Sequence, residues 1–165
     1  MEVSVRVAKQ TDKELFKNLL NIYHNELGLY CGEFQDVDEN GYFDNHAADA
    51  YFSGDKSILP LIILYDERVI GFAVVTVPPY SYGENDFCLQ EFFIVGYYRG
   101  SGVSDIAVKQ IVSLFQGKFC AAALKNNKYS VNFLRRVFSS FGGREKVFEN
   151  DFILFEGDDS VISEE

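Results

Sequence analysis

Between Phe87 and Val95 the chain reads as an apolar strand. From Val103 onward Val103, Ile106, Ala107, Gln110, Ile111, Leu114 and Phe115 recur at the helical period. The change falls on the turn Arg99-Gly100-Ser101-Gly102. A strand that passes into a helix through a tight glycine turn lays that helix on a sheet face and returns as a neighbouring strand, so the second half must contain βαβ units.

The first half has a different character. Val3, Val5 and Val7 alternate with polar residues, as in a half-buried strand. Thr11 and Glu14 have capping-box spacing and predict a helix start. Leu15, Phe16, Leu19, Ile22, Tyr23 and Leu27 supply its apolar face. Gly32 to Asn45 is polar and acidic and predicts a loop with short helical turns, and His46 to Phe52 a short helix. Ile58 to Tyr65 and Val69 to Val77 form a hairpin pattern around Asp66-Glu67-Arg68. After α-type spacing ends, Phe119 to Leu124 is a strand and Ser130 to Phe138 a helix with Val131, Leu134, Val137 and Phe138 inward. Gly142-Gly143 stops that helix, and Val147 to Phe155 is a last strand or strand pair. The expected fold is α/β with a mixed sheet, antiparallel in its first half, βαβ in its second, and helices on both faces. The 165 residues fit a single domain spanning 1–165, with 158–165 an acidic, frayed tail.

Charge excludes some functions. The formal net charge of −10 repels nucleic acid and anionic membranes, so neither is an expected partner. It attracts a cationic small molecule or basic peptide, or serves only solubility. Cys31, Cys88 and Cys120 show no CxxC or histidine pairing, so no metal site is expected. Cys88 and Cys120 read as small core residues in a reducing, cytoplasmic setting. His24 and His46 lack ligand partners at fixed spacing and read as surface or loop residues. Asp36, Asp38 and Glu39 lack EF-hand spacing. The first nine residues carry no signal-peptide pattern, and no apolar run could span a bilayer.

The glycine turn carries the chemistry. The first N–H groups of a helix have no intrahelical partner and sit at the positive end of its dipole, which suits an anion. Gly100, Ser101 and Gly102 would let a diphosphate approach the backbone, and Arg99 adds positive charge. Neither a P-loop nor a complete GxGxxG is present, since the latter fails at Asp105. A plain connecting turn is the alternative.

The segment Glu91-Phe92-Phe93-Ile94-Val95-Gly96-Tyr97-Tyr98-Arg99-Gly100-Ser101-Gly102-Val103-Ser104 resembles the acetyl-CoA motif of the GNAT superfamily of N-acetyltransferases, Q/R-x-x-G-x-G/A opening a helix. Arg99 matches its first position and Gly102 its fourth; Ser104 stands where Gly or Ala is usual. Asn127, Ser130, Phe133 and Leu134 are similar to the superfamily's second region, N-x-x-A-x-x-F-Y. Tyr23 to Asn40 with Gly41-Tyr42, and Gly71 to Val74, resemble a bacterial subset of predicted acetyltransferases.

The resemblance implies a GNAT-like fold and transfer of an acetyl group from acetyl-CoA to a primary amine of a small molecule or peptide by direct attack. It implies that the backbone of Ile94 and Val95 holds the pantetheine arm, one N–H facing the thioester oxygen. Arg99, Gly100, Ser101, Gly102, Val103 and Ser104 would hold the pyrophosphate, and Asn127 belongs to the cofactor region. Glu91 is the candidate base, or else a structural ion-pair member. Tyr23, Glu26 and Tyr30, at i, i+3 and i+7, would share a helix face able to bind an ammonium, or simply pack. Leu134 replaces the tyrosine that serves relatives as general acid, and Asp105 puts negative charge beside the diphosphate, to be offset by Arg99 and Lys109. A GNAT-fold module that binds acyl-CoA without turnover is the alternative, and a general α/β nucleotide-binding domain the third. The resemblance also allows a homodimer.

Overall fold

The computed structural model describes residues 2–161. Its elements are β1 (Val3–Val7), α1 (Lys13–Leu27), α2 (Ala47–Tyr51), β2 (Ile58–Tyr65), β3 (Arg68–Thr76), β4 (Phe87–Ile94), α3 (Val103–Phe115), β5 (Lys118–Leu124), α4 (Lys128–Ser139), β6 (Arg144–Phe148) and β7 (Phe152–Asp158). The strands form one seven-stranded sheet in the order β1-β2-β3-β4-β5-β7-β6. Only the β4–β5 pair is parallel; the other neighbours are antiparallel. The mixed sheet expected from the residue pattern is present, and the C-terminal apolar run is a strand pair.

Alternation along the central strands builds two cores. Leu61, Ile63, Ala73 and Val75 project toward α3 and α4, where they meet Ala107, Val108, Ile111, Val131 and Phe138. Ile62, Phe72 and Val74, one residue out of step, project to the other face and meet Phe16, Leu19 and Leu20 of α1 and Ala48 of α2. β2 and β3 are buried on both faces, which is why they read as continuous apolar runs. Phe16 sits at the centre of the second core, its ring 4.7 Å from Phe72 and 5.3 Å from Phe52.

Local expectations are corrected at several points. Thr11 caps nothing: it lies inside a 3₁₀ turn, Gln10–Asp12. The Asp12 carboxylate instead accepts the Lys9 N–H at 2.7 Å and holds Arg6 at 2.7 and 3.0 Å. The buried face of α3 is Val103, Ala107, Val108, Ile111 and Val112, while Ile106 and Leu114 are exposed. The helix is apolar on more than one face, so periodicity alone could not choose. On α1 Ile22 is exposed and His24 is buried. Residues 28–46 contain no helix. The tail does not fray at 158: Asp158 pairs with Lys118, and the Val161 N–H donates to the Asp158 carbonyl at 3.1 Å. Residues 162–165 of the expected frayed segment lie outside the described residues. No described helix is long and apolar enough to cross a membrane.

Candidate active site

β4 and β5 pair at only two positions, Phe87 with Phe119 and Cys88 with Cys120. Beyond them β5 follows β7 as far as Leu124, while β4 follows β3 as far as Ile94. The sheet therefore forks. The Val95 N–H donates to the Ile70 carbonyl at 2.8 Å, on the β3 side. Peptide groups alternate in direction along a strand, so those of Phe92 and Ile94 face the open side of the fork. Val95, expected to help hold an acyl-donor arm, turns its N–H the other way.

A second irregularity places the carboxylate. Across the β3–β4 ladder Val74 is opposite Glu91 but Val75 is opposite Leu89, so Gln90 is an extra residue, a β-bulge. Without it Leu89 and Glu91 would share a face. With it Leu89 enters the α3/α4 core while Glu91 turns to the α1/α2 side. There the Tyr51 hydroxyl donates to Glu91 Oε1 at 3.4 Å, and the Tyr23 hydroxyl also interacts with the carboxylate. Burial pushes the Glu91 carboxyl above its usual range, and the two hydroxyls oppose that rise by hydrogen bonding to the charged form. Burial and the neighbouring Glu91 push both phenols up, so they remain donors.

At the mouth of the fork the chain turns through Gly100 (φ 78°) and Gly102 (φ 85°) into α3. Positive φ demands glycine at both positions. A Cβ built on either would find no heavy atom of the described residues beyond its chain neighbours within 4 Å. No side chain caps the helix, leaving its first N–H groups directed outward. The Ser101 hydroxyl is spent on the Tyr98 carbonyl at 2.6 Å. Asp105 is neutralised by neither Arg99 nor Lys109 but by Arg136 of α4, at 3.0 Å.

Arg99 points inward rather than at the corner. Its Nε donates to the Ile94 carbonyl at 2.8 Å, and its Nη2 reaches both Glu26 carboxylate oxygens at 3.0 and 2.8 Å. The rings of Phe93 and Tyr129 flank the guanidinium at 5.3 and 5.9 Å. Glu26 is thereby already paired with a cation. Asn127 caps α4, its Oδ1 accepting the Ser130 N–H at 3.2 Å. Tyr30 lies beyond the end of α1, and its carbonyl accepts a bond from Asn126 Nδ2 at 2.8 Å across the cleft.

Part of this set borders one cleft of about 1210 Å³, while Val95, Gly100, Ser101, Gly102 and Val103 are not among its lining residues. Tyr23, Glu26, Tyr30, Glu91, Ile94, Arg99, Ser104 and Asn127 all line it, as do four residues the sequence did not single out for the site or placed elsewhere. Tyr51 gives no signal in the sequence, and Tyr129 lies near the second region but without the offset of the missing tyrosine; both positions depend on how helices dock. Asp44 looked like part of an unstructured acidic run. His24 is buried at 7% exposure, stacked on Phe34 with ring centres 4.1 Å apart, and its Nδ1 has no hydrogen-bond partner. Burial pulls its pKa down against the pull of Asp44, which favours the neutral ring. No group of three or more metal-ligating side chains is gathered among the described residues.

No family model matches the sequence, and no curated protein sequence matches it. Solved structures do. A GNAT-family acetyltransferase from Streptococcus agalactiae has a TM-score of 0.68 at 13% identity, covering 99% of this chain and 96% of its own. The PaiA N-acetyltransferase of Thermoplasma acidophilum, in complex with coenzyme A, has a TM-score of 0.68 at 11% identity, covering 96% and 99%. An aminoglycoside acetyltransferase from an uncultured soil metagenomic sample, in complex with sisomicin, has a TM-score of 0.64 at 11% identity, covering 89% and 93%. The fold is thus that of the GNAT acetyltransferases. The finer resemblance to a bacterial subset finds no support in sequence comparison.

Proposed function

We propose that the protein is an N-acetyltransferase that moves an acetyl group from acetyl-CoA to a primary amine by direct attack. The observation that carries this reading is the fork between β4 and β5, with the Ile94 N–H on its open edge and the uncapped start of α3 at its mouth. An extended thioester arm in the fork would add to β4 as an edge strand does. The Ile94 N–H would then lie against the thioester carbonyl, where negative charge develops. Gly100 to Ser104 would take the diphosphate. The coenzyme A bound by the Thermoplasma neighbour supports this donor.

Glu91 is the base in this reading. A protonated amine must lose a proton before it attacks, and a carboxylate raised by burial is better matched to that step than an exposed one. Glu33, Asp44 and Glu91, with Tyr23, Tyr30 and Tyr51, line the acceptor half of the cleft. This acidic, aromatic surface suits a cationic amine, small molecule or peptide. The aminoglycoside acetyltransferase neighbour, in complex with sisomicin, is consistent with that class. Glu26 contributes less net charge because Arg99 holds it. Tyr129, on the first turn of α4, lines the cleft with its ring 5.9 Å from the Arg99 guanidinium, and its hydroxyl would serve the departing thiolate.

One observation favours a second reading, an acyl-CoA-binding module without turnover: Leu134, where relatives carry tyrosine, is buried in the core. Two measurements separate them. Acetyl-CoA at 100 times its Kd should stabilise the fold by about 2.7 kcal/mol. A panel of amines should then release free thiol from acetyl-CoA. Stabilisation without thiol release selects the module; no stabilisation rejects both.

A further inference from the structure

Cys88 and Cys120 are partners in the last parallel pair before the sheet forks. Aligned neighbours on adjacent strands have Cα atoms about 4.8 Å apart. That lies inside the range of about 4.4–6.8 Å over which a disulfide closes without backbone movement. Both side chains point to the same small core, formed with Leu154 and bordered by Tyr82, Ala122 and Phe148. The Cys120 thiol donates to the Phe87 carbonyl, beside Cys88, at 4.0 Å. Cys88 borders the cleft at the base of the fork but is only 1% exposed, which limits access to an oxidant as small as peroxide. Cys31 is elsewhere, on the turn after α1, with its thiol donating to the Leu27 carbonyl at 3.2 Å.

We propose that Cys88 and Cys120 form an oxidisable dithiol that closes to an intramolecular disulfide under peroxide. The Cys88 thiolate attacks one peroxide oxygen; the O–O bond breaks, giving a sulfenic acid and, after protonation, one water. The Cys120 sulfur then attacks the Cys88 sulfur; the S–O bond breaks, and hydroxide leaves as a second water with the Cys120 proton. Two thiols and one peroxide give one disulfide and two waters. The bond staples the vertex of the fork, where only two residue pairs otherwise join the halves of the sheet. Contact with Cys120, and then burial, push the Cys88 thiol up, so closure is slow near neutral pH and accelerates as pH rises.

The test uses the full chain carrying Cys31→Ser, whose hydroxyl can keep the bond to Leu27. The folded protein is exposed to hydrogen peroxide until free cysteine in the same solution is consumed, then unfolded with an alkylating agent and weighed. The expected result is a chain two hydrogens lighter with no alkylated thiol, and recovery of both thiols by dithiothreitol. Adding Cys88→Ser or Cys120→Ser should abolish the loss of two hydrogens. In the unsubstituted chain, peptide mapping should recover the Cys88–Cys120 link, which keeps the test independent of any variant. Two alkylated thiols, or sulfurs gaining oxygen with no link, would overturn the proposal.

Discussion

The Nη2 of Arg99 lies 3.0 and 2.8 Å from the two carboxylate oxygens of Glu26, so the loop that opens α3 is tied to the end of α1. The same arginine bonds the Ile94 carbonyl on the open edge of β4. It therefore connects three pieces of the cleft before any phosphate is involved. Both side chains are partly solvated, which limits the pair to about 1 kcal/mol. Arg99→Ala and Glu26→Ala should each destabilise the fold by about 1–2 kcal/mol. The double variant should cost about 0.5–1 kcal/mol less than their sum in a denaturant double-mutant cycle. Full additivity would show that the pair is not coupled.

On the proposed reading Glu91→Gln should lower kcat by about 100-fold or more, with the stabilisation by acetyl-CoA unchanged, because the carboxylate lies on the α1/α2 side of β4, away from α3. Raised by burial, Glu91 is protonated at low pH, and the proposed acetyl transfer by the unsubstituted chain should speed up as pH rises through its shifted pKa. Tyr51→Phe removes a hydroxyl that favours the charged form, so the acid limb of the pH–rate profile should move to higher pH. An unmoved limb would separate Glu91 from the titration.

Gly102→Ala tests the anion corner. At φ 85° an alanine is strained by about 1–2 kcal/mol, but its Cβ meets no protein atom within 4 Å. The chain should still fold, while the thermal shift given by acetyl-CoA should fall to little or nothing. Retention of the full shift would place the phosphates elsewhere.

Gly71→Ala should act on the fold rather than on a ligand. Gly71 is opposite Ile94, and a Cβ there would come within 2.0 Å of the Phe93 carbonyl oxygen. Backbone cannot swing aside as a side chain can, so a loss of about 3 kcal/mol is expected in urea unfolding.

Asp12 should govern acid stability. Bonds from Arg6 and Lys9 hold its carboxyl down to about 2 against an ordinary 3.8. A depressed carboxyl stabilises the fold fully above its unfolded pKa and loses that contribution as pH falls through the folded one. Discounted for the partly exposed Arg6, the contribution is about 1–2 kcal/mol. Asp12→Asn should lower the melting temperature at pH 6 and narrow the difference from the unsubstituted chain near pH 2.

The chain's residue order already contained the alternation in β1, the continuous apolar runs of β2 and β3, the helical period after Val103 and the glycines at 100 and 102. Each is a local property: burial on one or two faces dictates spacing, and a positive φ dictates glycine. Glu91 could be singled out on its strand, but its orientation could not, because one extra residue at Gln90 decides the face, and a bulge is visible only against the partner strand. The partners of charges were equally hidden. The sequence places Arg99 beside the glycine turn and offers Arg99 or Lys109 to Asp105, but only packing shows that Arg99 also meets Glu26 and that Arg136 holds Asp105. The buried face of α3 was misread because Ile106, Leu114, Val108 and Val112 are all apolar, and only docking against the sheet chooses among them. The sequence thus determined the elements and the backbone corner at α3. Tertiary structure decided the fork, the direction of Glu91 and the pairing of Arg99 with Glu26 and of Asp105 with Arg136, since these depend on residues far apart in the chain meeting.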